Sequence, residues 1–292
     1  MTRARAVVVV RARKARWGPA PTTHCAAVLG ILGLLALAGG CRSASDRFLG
    51  LAADRGLRAE VVTGAGFRHR VLAPARAAGP TLHIYLDGDG TPWLGGHPAS
   101  DPTPRAPLVL DLLALDPAPA VYLGRPCYHG LGGDPGCAPA LWTSARYSEA
   151  VVSSMAAAAR RVLAARGAER IVWLGYSGGG ALAVLLAARL PETAGVITVA
   201  ANLDVDAWAE HQRSGRLAGS LNPARQPPLP PRLFQRHYAG GRDRTVPVEV
   251  TRRGASPAAL VVIPGFDHRC CWKALWPAVL AELERGAPAR RQ

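Results

Sequence analysis

Three residues of this chain stand where side-chain chemistry could occur: Ser177, Asp243 and His268, each just beyond a predicted strand. A serine hydroxyl is a poor nucleophile at neutral pH, so it needs a base to take its proton and an acid to orient that base. Ser177 lies in Gly175-Tyr176-Ser177-Gly178-Gly179, between the apolar residues 171–174 and an Ala/Leu-rich stretch. A strand that turns sharply into a helix holds its turn residue in a strained backbone conformation. Glycines two before and two after that residue let the two backbones pass closely, and the hydroxyl at the tip is left exposed. The pattern alone arises easily by chance in a chain with 32 glycines; its place between a strand and a helix is what makes it informative. Asp243 follows the predicted strand 233–238 in the loop Gly240-Gly241-Arg242-Asp243-Arg244-Thr245. His268 follows residues 260–263 in Pro264-Gly265-Phe266-Asp267-His268. The chemistry these three could perform together is nucleophilic attack by the serine on an acyl carbon.

Rival residues exist for each role. Asp204 and Asp206 follow the apolar residues 195–200 and are an alternative acid, whereas Asp267 adjoins His268 too closely in sequence to face it usefully. His129, His211 and His237 are alternative bases, and His237 lies within a predicted strand, where a core role is the ordinary expectation. Trp93, Trp142 and Tyr147 are candidates for the wall of an acyl pocket or for plain packing. No metal site is expected: Cys127, His129 and Cys137 lack the C-x-x-C spacing of zinc ligands, and Asp87-Gly88-Asp89-Gly90 has too few acids for a calcium loop.

The elements that must position these residues can be read from periodicity. Residues 57–62 and 67–72 predict a β-hairpin around Thr63-Gly64-Ala65-Gly66. Strands are predicted at 81–86, 118–123, 171–175, 195–200, 233–238 and 260–263, and helices at 107–115, 148–165, 180–190 and 272–284. Residues 201–232 read as a connection ending in a proline cluster, short for a large lid, which predicts an open cleft. Strands alternating with helices after an initial hairpin indicate an α/β fold, a mostly parallel twisted sheet with helices on both faces. Runs such as Ile171-Val172-Trp173-Leu174 are apolar throughout, as strands covered on both faces must be. In such open sheets, functional groups gather at the carboxyl ends of the strands, where Ser177, Asp243 and His268 all fall.

Composition bounds the rest. A chain of 292 residues with 49% hydrophobic content is ample for one large domain and excludes general disorder. The net charge of +15 is not a nucleic-acid footprint. Residues 1–40 hold six of the 35 basic residues and none of the 20 acidic ones, leaving 29 against 20, or +9, for the remainder. Those arginines are scattered rather than interleaved with aromatics along a stripe, so no nucleic-acid partner is expected. The N-terminus reads as an export signal over 1–40: a basic stretch through Arg16 precedes an apolar run at 26–38, too short to span a membrane comfortably. Leu37-Ala38-Gly39-Gly40-Cys41 resembles a bacterial lipoprotein signal, with Cys41 lipidated as the mature N-terminus, although Ala38 stands where Leu is usual. Residues 41–56 read as a tether, with a short helix allowed, and 57–288 as the folded domain. In an exported protein, the even set Cys127, Cys137, Cys270 and Cys271 predicts disulfides. Cys127–Cys137 is the easiest pair; a bond between the neighbours Cys270 and Cys271 would be strained, so cross-links between the two regions stay open.

Taken jointly, Gly-Tyr-Ser-Gly-Gly, Gly-Gly-Arg-Asp-Arg-Thr-Val-Pro and Gly-Phe-Asp-His, in the order Ser177, Asp243, His268, resemble the nucleophile turn, acid loop and histidine loop of α/β-hydrolase-fold serine hydrolases. The resemblance implies that Ser177 attacks, His268 carries the proton and Asp243 orients the imidazole. It also implies an oxyanion hole built from the Gly178 amide and an amide after an earlier strand. The family often has His-Gly there, and this chain has Asp87-Gly88-Asp89-Gly90, so the expectation falls on the Asp89 amide, with Gly88 giving clearance. The implied activity is cleavage of a carboxylic ester, small or lipid-like, by an exported, lipid-anchored enzyme needing no metal or organic cofactor. A peptidase or acyltransferase would use the same three residues, and an envelope lipoprotein could keep the fold without the chemistry.

Overall fold

The computed structural model describes residues 42–75 and 79–286. The export signal read at 1–40 and the lipidation site Cys41 lie outside the described residues. Residues 42–56 correct the sequence reading of a tether: α1 (Ala44–Ala53) is part of the folded unit. Its start is set by a capping box, in which the Ser43 hydroxyl accepts from the Asp46 N–H and the Asp46 carboxylate accepts from the Ser43 N–H. Phe48 and Ala52 bury its inner face beside Tyr122.

The strands β1 (Arg58–Thr63), β2 (Arg68–Ala73), β3 (Thr81–Leu86), β6 (Ala120–Leu123), β7 (Arg170–Tyr176), β8 (Thr193–Val199), β9 (Phe234–Gly240) and β10 (Leu260–Ile263) form one eight-stranded sheet, ordered β1-β2-β6-β3-β7-β8-β9-β10. The β1–β2 and β2–β6 pairs are antiparallel and the remainder parallel. The predicted α/β fold class is therefore the observed one. The short strands β4 (Trp93–Leu94) and β5 (His97–Pro98) form a separate hairpin in the loop after β3.

The two-residue period of β7 divides the core. Ile171 and Trp173 face a layer built from α3 (Glu149–Ala165) and α4 (Gly178–Ala187), with Val151, Met155, Leu182 and Leu186 among its residues. Val172 and Leu174 face the opposite layer, made by α1, α2 (Leu108–Ala114) and α7 (Trp272–Gly286). Every residue of α4 is buried, as expected of a helix apolar all round that follows the central strand.

Two short helices depart from the sequence reading: α5 (Val205–His211), within the expected connection, and α6 (Val248–Arg253). Segments this short are not stable by propensity, so their pattern carries little local signal. Both are held from outside. Asp204 caps α5 and also accepts from Asn222, while the Thr251 hydroxyl donates to the Ala201 carbonyl.

Successive parallel strands are added on opposite sides of β3: first β6, then β7 and its neighbours. The sheet thus reverses direction at β3 and β7, and a crevice opens beyond their carboxyl ends.

Candidate active site

Ser177 occupies the turn between β7 and α4 with φ 51° and ψ −123°, a conformation an L-residue adopts only when its surroundings impose it. The glycines around it meet that requirement by proximity. A Cβ on Gly175 would lie 2.4 Å from the Gly179 carbonyl oxygen, and one on Gly179 would lie 2.2 Å from the Leu86 carbonyl oxygen at the end of β3. The Ser177 N–H donates to the Val199 carbonyl across the sheet at 2.9 Å.

Asp243 follows β9 and His268 follows β10, neighbouring parallel strands, so both emerge at the same end of the sheet. His268 Nδ1 lies 2.8 Å from Asp243 Oδ2. A carboxylate only accepts, so Nδ1 carries the proton and Nε2 of the neutral ring is left with its lone pair. The other oxygen, Oδ1, accepts from the N–H groups of Thr245 and Val246, both at 2.8 Å. The Asp243 side chain is wholly buried and that of His268 is 17% exposed, so the acid is hidden behind a base that reaches the solvent side. The Tyr176 ring lies 5.2 Å from the imidazole, and the Trp272 indole N–H donates to the His268 carbonyl, fixing the loop from behind.

Ser177 and His268 line one cleft of about 440 Å³, together with the loop after β3, Tyr176, Trp208 and Arg269. The alternatives fall elsewhere. Asp204 is spent capping α5, and Asp206 pairs with Arg225. Asp267 accepts from the N–H groups of Arg269 and Cys270. His129 is buried against Tyr122 and His237 against Thr198, while His211 meets the Arg244 carbonyl. Of the three aromatics considered for the wall, Trp93 lines the cleft. Trp142 packs instead with the Cys127–Cys137 loop, and Tyr147 is buried behind the cleft. Cys127 and Cys137 are bonded to each other and so are Cys270 and Cys271, which leaves no cross-link between the two regions.

The residues named for the oxyanion hole meet at the crevice. A Cβ on Gly88 would sit 3.3 Å from the Ser177 Cβ, tighter than an ordinary contact, so the glycine eases the close approach of this backbone to the nucleophile. The Gly88 N–H donates to Asp87 Oδ1, whereas the Asp89 N–H makes no hydrogen bond among the described residues. Gly178 is the first residue of α4, where an N–H has no intrahelical acceptor. Two unspent amides, of Asp89 and Gly178, thus flank the serine.

Sequence reasoning missed the side chains around these amides. Asp87 is buried in the cleft wall with Oδ2 unpartnered, and burial pushes its carboxyl up to about 7 against the opposing pull of the Gly88 N–H, Arg125 and Arg269. Asp87 and Arg125 stand one and two residues beyond their strands, the same signal that singled out Ser177; Arg146 and Trp208 carried no such mark.

Asp87 and three buried histidines act oppositely on stability. Burial lowers His69 and His237 to about 4 and His129 to about 3, so at mildly acid pH each binds its proton only when unfolded. Asp87 binds its proton in the folded state over the same range. Each proton difference changes stability by about 1.4 kcal/mol per pH unit. Three against one favours the histidines, so stability is lost on acidification from about pH 6.5 to about pH 5. Asp87→Asn removes the opposing proton and should steepen that loss by roughly half. Urea midpoints across the range measure it; equal slopes in the two proteins would contradict the raised Asp87 carboxyl.

No protein-family model matches the chain, and neither does any curated protein. Solved structures do match. A membrane phospholipase A described as a bacterial virulence factor aligns over 90% of this chain and 99% of its own, at TM-score 0.54 and 18% identity. XC6422 from Xanthomonas campestris, described as an α/β serine hydrolase without a lid, aligns over 80% and 96%, at 0.52 and 17%. The Pyrococcus furiosus esterase PF2001 aligns over 80% and 91%, at 0.57 and 13%. Identities this low carry the architecture, and the chain has the α/β-hydrolase fold.

Proposed function

We propose that this protein is a serine hydrolase that cleaves a carboxylic ester through an acyl-enzyme. The observation that carries the proposal is the Asp243–His268 hydrogen bond beside a cleft that His268 shares with a serine held in a strained turn. In the first half-reaction the Ser177 oxygen bonds to the acyl carbon as its proton passes to His268 Nε2. The negative charge that develops on the acyl oxygen is stabilised by the amides of Gly178 and Asp89, and Asp243 balances the imidazolium. Collapse breaks the bond to the alcohol, which leaves with the proton from His268. Water, deprotonated by the same imidazole, then attacks the acyl carbon; the bond to Ser177 breaks as His268 returns that proton to the serine oxygen, and the acid leaves. The steps invoke no metal or organic cofactor.

An ester rather than an amide is favoured by analogy alone, two of the similar structures being called an esterase and a phospholipase. The export signal and the lipid anchor at Cys41 belong to the same proposal and set the enzyme on a bacterial envelope, with a small or lipid-like ester as substrate.

A fluorophosphonate probe tests the core of the reading: Ser177 should displace fluoride and become labelled. Labelling should be found in the membrane fraction of a bacterial host expressing the full chain. An unlabelled wild-type protein would overturn the hydrolase; a labelled protein found only in the soluble fraction would overturn the anchor.

A further inference from the structure

The Asp89 carboxylate accepts from three side chains, and none of them belongs to the Ser177, His268 and Asp243 set. The Asp89 side chain, 12% exposed, lies between two guanidinium groups, accepting from Arg125 Nη2 at 2.8 Å and Arg146 Nη1 at 2.8 Å. The Tyr147 hydroxyl donates into it at 2.7 Å and is itself held by Asn202 Nδ2 at 3.1 Å. On the main chain, the Asp89 carbonyl accepts from the Tyr128 hydroxyl at 3.0 Å. These partners come from the loop after β6, the segment leading into α3 and the loop after β8. Burial by itself would raise this carboxyl; Arg146 and Arg125 overcome that and hold it below the ordinary range, so it is an anion.

The same carboxylate reaches the other side of the crevice. A Cβ on Gly178 would stand 1.9 Å from Asp89 Oδ1 and 2.5 Å from the Tyr147 hydroxyl, so the space beside Gly178 is filled by this ion cluster. The residue supplying one unspent amide is therefore packed against the residue supplying the other. Two guanidinium groups meet the Asp89 carboxylate, and the neighbouring Asp87 carboxyl, raised by burial to about 7, is only partly ionised at neutral pH, which leaves a net positive charge behind the crevice. In a water-poor site, preorganised charge of this sign stabilises an oxyanion formed nearby without reorganisation.

We infer that the buried Asp89–Arg125–Arg146–Tyr147 cluster is the positioning device of the oxyanion hole, fixing the Asp89 amide against Gly178 and biasing the site electrostatically toward negative charge. The inference rests on the hydrolase reading above. Asp89, Arg125, Arg146 and Tyr147 act through the amides and are positioning residues.

Steady-state hydrolysis of a chromogenic short-chain ester by purified full-length protein tests this. Asp89→Asn keeps the side chain's shape but loses its charge and presents a donor to the guanidinium groups. Its kcat should fall about 10²-fold while KM stays within about threefold, since the loss is confined to the transition state. Tyr147→Phe is the milder variant, removing one hydroxyl and little volume; its kcat should fall about tenfold, again with KM held. Affinity for a boronic acid that forms a tetrahedral adduct on Ser177 should weaken in both by a factor similar to the loss in kcat, and the two substitutions together should cost less than the product of their separate effects. Wild-type protein that neither labels nor turns over would sink the hydrolase reading. Active wild type with Tyr147→Phe folded and unchanged in kcat and boronate affinity would sink the cluster's role alone, whether or not Asp89→Asn folds. A rise in KM at constant kcat would do the same, as it would mark a substrate-binding contact.

Discussion

Ser177→Ala and His268→Ala should each lower ester turnover by at least about 10⁴-fold, roughly 5.5 kcal/mol of transition-state stabilisation, and the double variant should be no slower than the worse single. The near-equality follows from the geometry. A base without its nucleophile has no proton to take, and a nucleophile without its base stays a neutral alcohol. Asp243→Asn should also be severe. The carboxylate at 2.8 Å from Nδ1 dictates which ring nitrogen carries the proton, and an amide that presents its NH₂ to Nδ1 would reverse that choice, placing the proton where the base must be free. Thermal melting should be little changed for Ser177→Ala, because nothing in the core depends on that hydroxyl. Initial rates with burst titration, alongside circular dichroism, make the comparison. An active His268→Ala protein would remove His268 as the base. The buried rivals His129 and His237, lowered to about 3 and about 4, sit in the core behind Tyr122 and Thr198 and could not replace it.

Gly179→Ala should cost the fold more than any other single methyl group around the serine. The new Cβ would lie 2.2 Å from the Leu86 carbonyl oxygen and 2.5 Å from that of Asp87, main-chain atoms at the end of a central strand. A flexible side chain could swing aside from such a contact; a hydrogen-bonded strand end cannot, so β3 and α4 must separate. Overpacking of this kind costs about 3 kcal/mol or more, which for a domain of this size lowers the melting temperature by roughly 10 °C. Activity should disappear with it, since the same displacement pulls Gly88 away from Ser177. Gly133→Ala is the matched control. No atom lies within 4 Å of its added Cβ, and its effect should stay within about 0.5 kcal/mol. Comparable melting curves for the two variants would show that the close approach of β3 and α4 is not what the glycine protects.

Much of this site is legible in the chain because it rests on local pattern. β3 and β10 fall on the residues that periodicity marks, and the reactive residues are found by inspecting the loop at the carboxyl end of each strand. The same inspection, applied after 81–86 and 118–123, reaches Asp87, Asp89 and Arg125, but it does not say with whom they pair. Asp89 meets Arg125, Arg146 and Tyr147 at separations of 36, 57 and 58 residues. Such partners are selected by where loops close over the sheet edge, and nothing periodic marks them. Asp204 shows the converse. It follows a strand and is an acid, so it qualifies as a rival for Asp243; only the packing of Asn222 and the start of α5 shows it spent as a cap. The segment 42–56 obeys the same rule, since a helix of ten residues becomes worth forming only when Phe48 and Ala52 have a core to enter.

What the sequence by itself determined is the chain order of the eight strands of the main sheet and of the four helices it marked, the α/β class, and the placing of Ser177, Asp243 and His268 at strand ends, because apolar period and turn chemistry act between near neighbours. Which charges face one another was decided by the tertiary structure. A buried carboxylate is tolerable only where enough donors converge on it, and here four loops had to fold before Asp89 could be an anion beside Gly178.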